Sequence, residues 1–273
     1  MMKTALTGVM SASRDLSVIS NNLANAMTVG FKRSTSQFVD VAGLSQNDIP
    51  GVDIGQGAMT EVVRRSDSQG NVRNTYSALD LAIVGPGHFT FGDTASTTST
   101  SSTTEPTYFY SRAGQLQITP TGQLVDKSNG RPLMGLLGGK PQPINVADGA
   151  NGDLSQVQTI SVDTKGQLSV TRTDGTVKQI ATLAIAHFNN EDGLKNQGGS
   201  SFTETDESGP AQLSRASTNG IGSIQQGALE DANVDIASEM LRMIKAQQAY
   251  NGNARALQTG SEMLRSSIET LIR

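Results

Sequence analysis

Residues 236–271 read IASEMLRMIKAQQAYNGNARALQTGSEMLRSSIETL, and the fold turns on this stretch. Stepping alternately four and three positions along it meets Ile236, Met240, Met243, Gln247, Tyr250, Ala254, Leu257, Ser261, Leu264, Ile268 and Leu271. All but Gln247 and Ser261 are apolar or Tyr, and a three-four spacing held over about five heptads is the seam of a coiled coil. Asp235 stands where an N-cap belongs, and Glu239 adds negative charge to the first turn, where the helix dipole favours it. At about 1.5 Å per residue, one continuous helix here spans about 54 Å.

The other end of the chain carries the same period. Met2, Leu6, Val9, Ser13, Leu16, Ser20, Leu23 and Met27 follow the three-four spacing, and Ala5, Ala12, Ile19 and Ala26 widen the stripe. This helix is expected to stop between Asn25 and Gly30, because Asn and Gly tolerate the left-handed conformation that ends a helix. An amphipathic helix in water is held mainly by burying its stripe, so each terminal helix needs a partner. The nearest is the other terminus; packing of both onto the middle of the chain is the alternative. Ser13, Ser20, Gln247 and Ser261 interrupt the seams, either fixing register or as tolerated imperfections.

Between the ends the pattern changes to short alternating or aliphatic runs separated by turn residues. Strands are expected over 79–84, 115–118, 123–125, 159–162 and 167–170, with Thr173-Asp174-Gly175 as a hairpin turn and 179–188 as one buried strand. The expected fold class is α+β: N- and C-terminal helices paired as a coiled coil, with a central all-β domain. The expected division is a helical domain of 1–36 with 230–273, a linker region of 37–75 with 205–229, and a β domain of 76–204. Residues 94–104 are almost wholly Ser and Thr and are expected to form a mobile loop.

Composition argues against an enzyme. Hydrophobic residues make up 36% of the 273-residue chain and aromatic residues 4%, with no Trp, which leaves little bulk to line a substrate pocket. A chain so constituted is expected to bury part of its surface against other molecules. The 21 Lys and Arg lie scattered among 25 Asp and Glu, for a net charge of −4, so no basic stripe marks a nucleic-acid partner. Cysteine is absent, which removes disulfides, thiolate metal sites and Cys nucleophiles. His88 and His187 show no metal-ligand spacing. Gly85-Pro86-Gly87 lacks the following helix that a phosphate-binding turn requires, and Asn189 to Gly193 lacks the closing Glu of a calcium loop. No catalytic, cofactor-binding or metal residue and no small-molecule substrate is therefore expected. The run from Ala5 to Met10 is too short for the apolar core of a cleaved signal peptide.

Two local motifs sharpen the reading. Ile19-Ser20-Asn21-Asn22-Leu23-Ala24-Asn25-Ala26, followed by Gly30-Phe31-Lys32-Arg33, resembles the S-N-N-[IL]-A-N … G-[FY]-K signature of bacterial flagellar rod and hook proteins. Gln226 to Asp235, with Asn233-Val234, resembles the same family's G-x-[LV]-E-x-S-N-V approach to its last helix, and Met243 to Tyr250 is similar to M-I-x-x-Q-R-x-Y, with Gln248 in place of Arg. Blocks at 78–89, 110–114, 188–194 and 207–209 continue the likeness, so it covers most of the chain.

The resemblance implies a structural subunit that self-assembles into a hollow helical tube, the paired terminal helices forming its inner layer. It also implies other rod and hook proteins as partners, the flagellar export apparatus as the route, and the basal body or hook as the place. Subunit packing is expected at Leu6, Val9, Leu16, Ile19, Leu23, Ile236, Met240, Met243, Tyr250, Leu257, Leu264, Ile268 and Leu271. A single β domain's length between the helices resembles a rod subunit, above all of the distal rod, more than a hook subunit; a short hook protein remains the alternative within the family. Outside it, the alternatives are a β-rich adhesin or binding module, and a hydrolase using Ser and Asp.

Overall fold

The computed structural model describes residues 2–41, 55–93, 107–150, 154–218 and 220–271; the Ser/Thr-rich stretch 94–104 lies outside them. The chain divides into two compact units. The first comprises Met1–Ala26, Arg33–Ser66 and Val234–Arg273, and the second Met27–Lys32 and Asp67–Asn233.

The first unit consists of helix α1 (Met2–Ala24), strands β1 (Ser34–Asp40) and β2 (Ala58–Arg65), and helix α2 (Ile236–Leu271). The two helices pack antiparallel: Asn22 meets Glu239, Gly8 lies against Asn253, and Gly260 lies beside Met2. The terminal helices are thus each other's partners. Asp235 caps α2, its Oδ1 accepting from the Ala237 N–H at 3.2 Å. At the end of α1 the Asn25 side-chain amide donates to the Asn21 carbonyl, which also accepts the Asn25 backbone N–H at 3.1 Å. Strands β1 and β2 form an antiparallel pair with Ser34 opposite Arg65 and Asp40 opposite Ala58. The stretch 37–75, expected to be linker, contributes most of β1 and all of β2 to this unit, and strand Val72–Asn74 to the other.

The second unit is all-β. One six-stranded sheet runs Lys195–Gly198, Ser201–Thr203, Tyr108–Ser111, His88–Gly92, Ile185–His187 and Gln212–Ser214. A five-stranded sheet runs Lys140–Pro143, Met134–Leu137, Val177–Leu183, Gln167–Arg172 and Val157–Val162. The stretch 179–188, expected as one strand, is split between the two sheets at Ala184. Leu183, Ala184, Ile185 and Ala186 are all fully buried where the chain changes sheet, which is why the sequence there is uniformly apolar without alternation. Phe89, Phe91, Leu81, Ile83, Leu133, Leu168 and Leu183 centre the core. His88 packs edge-on to Phe188 and Phe202 of a second buried cluster that also holds Tyr110 and Leu194.

Gly114 shows how closely the strands meet: a Cβ there would run into the Leu81 carbonyl oxygen and come within 3.0 Å of the Phe89 ring. Backbone cannot yield as a side-chain tip can. Gly114→Ala is therefore expected to destabilise the protein by about 1–3 kcal/mol, measured by urea denaturation.

Candidate assembly surface

The side chains at the α1–α2 contact are mostly small. On α1 the buried positions are Ala5, Ser11, Ala12, Ile19 and Asn22; on α2 they are Glu239, Ala246 and Gly260, with Met243, Asn253, Ala254 and Leu257 half-buried. Helix contacts are closest where no large side chain intervenes. A Cβ on Gly8 would come within 2.6 Å of the Asn253 amide nitrogen, and one on Gly260 within 3.2 Å of Met2. Small residues at these points set the spacing between the helix axes.

Of the packing residues expected from the sequence, Ile19 is fully buried, and Val9, Leu16, Leu23, Met243 and Leu257 are half-buried. Leu6, Ile236, Met240, Tyr250, Leu264 and Ile268 are exposed. Leu271 closes α2. The fully buried positions of α2, 239, 246 and 260, lie beside the expected apolar series and not on it, and of that series Met243, Ala254 and Leu257 are half-buried. The reason is size: Ala12 and Ala246 allow close approach, and the bulky series is turned outward. Met10 is 58% exposed, Met240 51% and Ile268 55%, beside exposed Leu6, Leu241, Ile244, Met263 and Leu264.

Near the end of the helix pair that holds Asn22, polar groups replace apolar ones. Asn22 is fully buried; its amide donates to the Ser34 carbonyl (2.7 Å) and to Glu239 Oε2 (3.3 Å), while its Oδ1 accepts from the Ser34 N–H (2.9 Å). Glu239, also fully buried, is paired with Arg33 at 3.4 Å and Arg242 at 3.2 Å. Asp15 accepts from the Ser36 hydroxyl at 2.6 Å. These contacts tie α1, α2 and the start of β1 together, and they account for Asn22 in the N-terminal motif. Asn21 and Ala24 are exposed, and Asn25 caps its own helix.

A second cluster lies within the β unit and accounts for Gly30 and Lys32. Glu230 is fully buried. Its Oε1 accepts from Lys32 Nζ (2.7 Å) and the Gly70 N–H (2.9 Å), and its Oε2 from Arg112 (3.3 Å). Lys32 also donates to the Ser68 carbonyl at 2.8 Å, which the Asn233 amide reaches at 2.9 Å. Burial lowers the Lys32 pKa from the ordinary lysine value, and Glu230 opposes that shift. Gly30 has a φ of +69° and sits against the Arg112–Ala113 backbone, where a Cβ would come within 2.6 Å of Ala113 N; its N–H donates to the Glu230 carbonyl. Half-buried Phe31 accepts at its carbonyl from the Asn233 N–H, and Val234, also half-buried, follows in the first unit. The segments around 30, 68, 112 and 230 are thereby fastened within one charged knot. Sequence reading picked out Lys32 and Asn233 by motif alone and missed Glu230 and Arg112 as its centre.

Among the described residues no group of three or more His, Asp or Glu could hold a metal ion, and no helix is long and apolar enough to cross a membrane.

Comparison with known proteins fits this arrangement. The model of the flagellar basal body rod FlgEFG protein C-terminal family matches residues 225–270, and that of the flagella basal body rod protein family matches residues 2–32. The flagellar basal-body rod protein FlgG of Buchnera aphidicola subsp. Baizongia pistaciae is 33% identical over 276 residues, covering 95% of each chain. FlgG of Caulobacter vibrioides is 32% identical over 284 residues, 97% of each chain. FlgG of Bacillus subtilis is 29% identical over 276 residues, 97% of this chain and 96% of that one.

The buried knot yields a contrast. Glu230→Ala strands two buried cations and is expected to cost about 3–5 kcal/mol. Arg73 pairs with Asp231 at 3.3 Å but is half exposed, so Arg73→Ala is expected to cost under about 1 kcal/mol. Urea denaturation of both variants measures the difference.

Proposed function

The chain belongs to the flagellar basal-body rod protein family, and we propose that it builds the distal rod, stacking with copies of itself into a hollow helical tube that transmits torque. The observation that carries this reading is the outward set of large apolar side chains on α1 and α2. A soluble monomer has no use for Leu6, Met10, Met240, Leu241 and Ile244 in water. Burying them against neighbouring copies yields about 25 cal/mol per Å² of apolar surface, repeated at every subunit. A contact between unlike surfaces propagates as an open helix where its rotation does not close a ring, which is the requirement for a tube.

Torque passes through such a tube by close packing, since interlocked side chains resist sliding more than a wet interface does. Within each copy, the small-residue contact and the Asn22–Glu239 cluster hold the two helices as one element that can bear load. Other axial proteins adjoin the tube, and the flagellar export apparatus is its proposed route outward, a step that family membership supports.

Imaging of basal bodies from cells lacking the gene tests the place in the axis. Loss of the distal rod together with the hook is expected; a complete rod without a hook would overturn it. A second prediction concerns the outward face. Met240→Asp with Ile244→Asp changes two exposed side chains, so stability is expected to shift by no more than about 0.5 kcal/mol per site. The same pair is expected to abolish swimming in soft agar while the protein is still made.

A further inference from the structure

Resting on the tube-building reading, we propose that the groove between α1 and β2 in one copy receives the last three turns of α2 from a second copy. The groove has a volume of about 580 Å³ and lies within the first unit. Leu6, Val9 and Met10 of α1 form one wall, Met59 of β2 the other, and Tyr250 lies at its edge. Leu6, Met10 and Met59 are exposed, so among the described residues nothing covers the largely apolar groove.

The occupant is indicated by α2 itself. The α1 contact extends along α2 as far as Gly260, beside Met2. Beyond it, every residue from 261 to 270 is exposed. This projecting part carries Leu264 and Ile268 four positions apart, with Leu271 three further on, the spacing of an amphipathic helix laid into a groove.

Two observations favour a second copy over another partner. First, the projecting face continues a seam already in use: Met243 and Leu257 are half-buried at seven-residue multiples before Leu264. What α1 covers on the earlier turns, an α1 surface can cover on the later ones. Second, length and charge correspond. The groove wall from Leu6 to Arg14 is about 12 Å of helix and the projecting turns about 16 Å, at about 1.5 Å per residue. Arg14 lines the groove, while 261–271 carries Glu262 and Glu269 against Arg265 alone. The two surfaces are different and lie on the same unit, so each copy offers one to the next.

The absence of natural cysteine makes the test direct. Full-length chains carrying Leu6→Cys or Met10→Cys are co-expressed with full-length chains carrying Leu264→Cys or Ile268→Cys, and isolated basal bodies are mildly oxidised. A disulfide needs the two Cβ atoms about 3.5–4.5 Å apart, so it reports direct contact. At least one mixed combination is expected to give a disulfide-linked dimer at least tenfold more abundant than any single variant gives. Variants that enter the basal body but yield no such dimer in any combination overturn the groove contact and leave the rod reading standing. Wild-type and variant chains both missing from basal bodies would overturn the rod reading and this contact with it.

Discussion

Two helices brought close through small side chains are the constraint on which the rest of the molecule depends. Ala5, Gly8 and Ala12 on one side, with Ala246 and Gly260 on the other, leave room for the facing helix, Gly8 meeting the Asn253 side chain and Gly260 that of Met2. Such a contact buries less apolar surface than a leucine seam would. It is supplemented by the buried Asn22–Glu239 pair, whose hydrogen bonds are satisfied only in one register. A misregistered pairing would strand a buried carboxylate, so the polar group supplies a specificity that small apolar residues cannot.

The economy of this arrangement lies in what it releases. A helix pair normally spends its bulky residues on its own seam. Here much of that bulk, Met10, Met240, Leu241 and Ile244 among it, is exposed in the single chain. The low aromatic content and the modest hydrophobic fraction of the whole chain are consistent with a protein whose own core is confined to the β unit, where Phe89, Phe91, Tyr110 and Phe188 are buried.

Much of the fold is legible in the sequence because it is written in local periods. The bounds of α2, its Asp235 cap, the end of α1 and a minority of the β unit's strands, such as Leu81–Val84 and Gln167–Arg172, follow from spacing and turn residues within a few positions. The register of the helix contact does not, because hydrophobicity ranks Met240 above Ala246 while geometry favours the smaller one. The sheet switch at Ala184 is invisible because a strand buried on both faces shows no alternation. The charged clusters escape for another reason. Glu230 meets Lys32 across 198 positions and Arg112 across 118, and Asn22 meets Glu239 across 217. No window sliding along a chain connects residues so distant; the family motif flagged Lys32 without saying what it binds.

Gly8 has a consequence that reaches beyond one molecule. A Cβ added there would come within 2.6–2.8 Å of the Asn253 side-chain amide, which would have to move aside. In a monomeric protein such an error stays where it is made. In a structure copied by repetition, every misplaced side chain becomes the template for its successor, and a minority of faulty copies can spoil the growth of sound ones. On the proposal that copies stack into a tube, tolerance at that position is set by the repeat as well as by the stability of the individual chain.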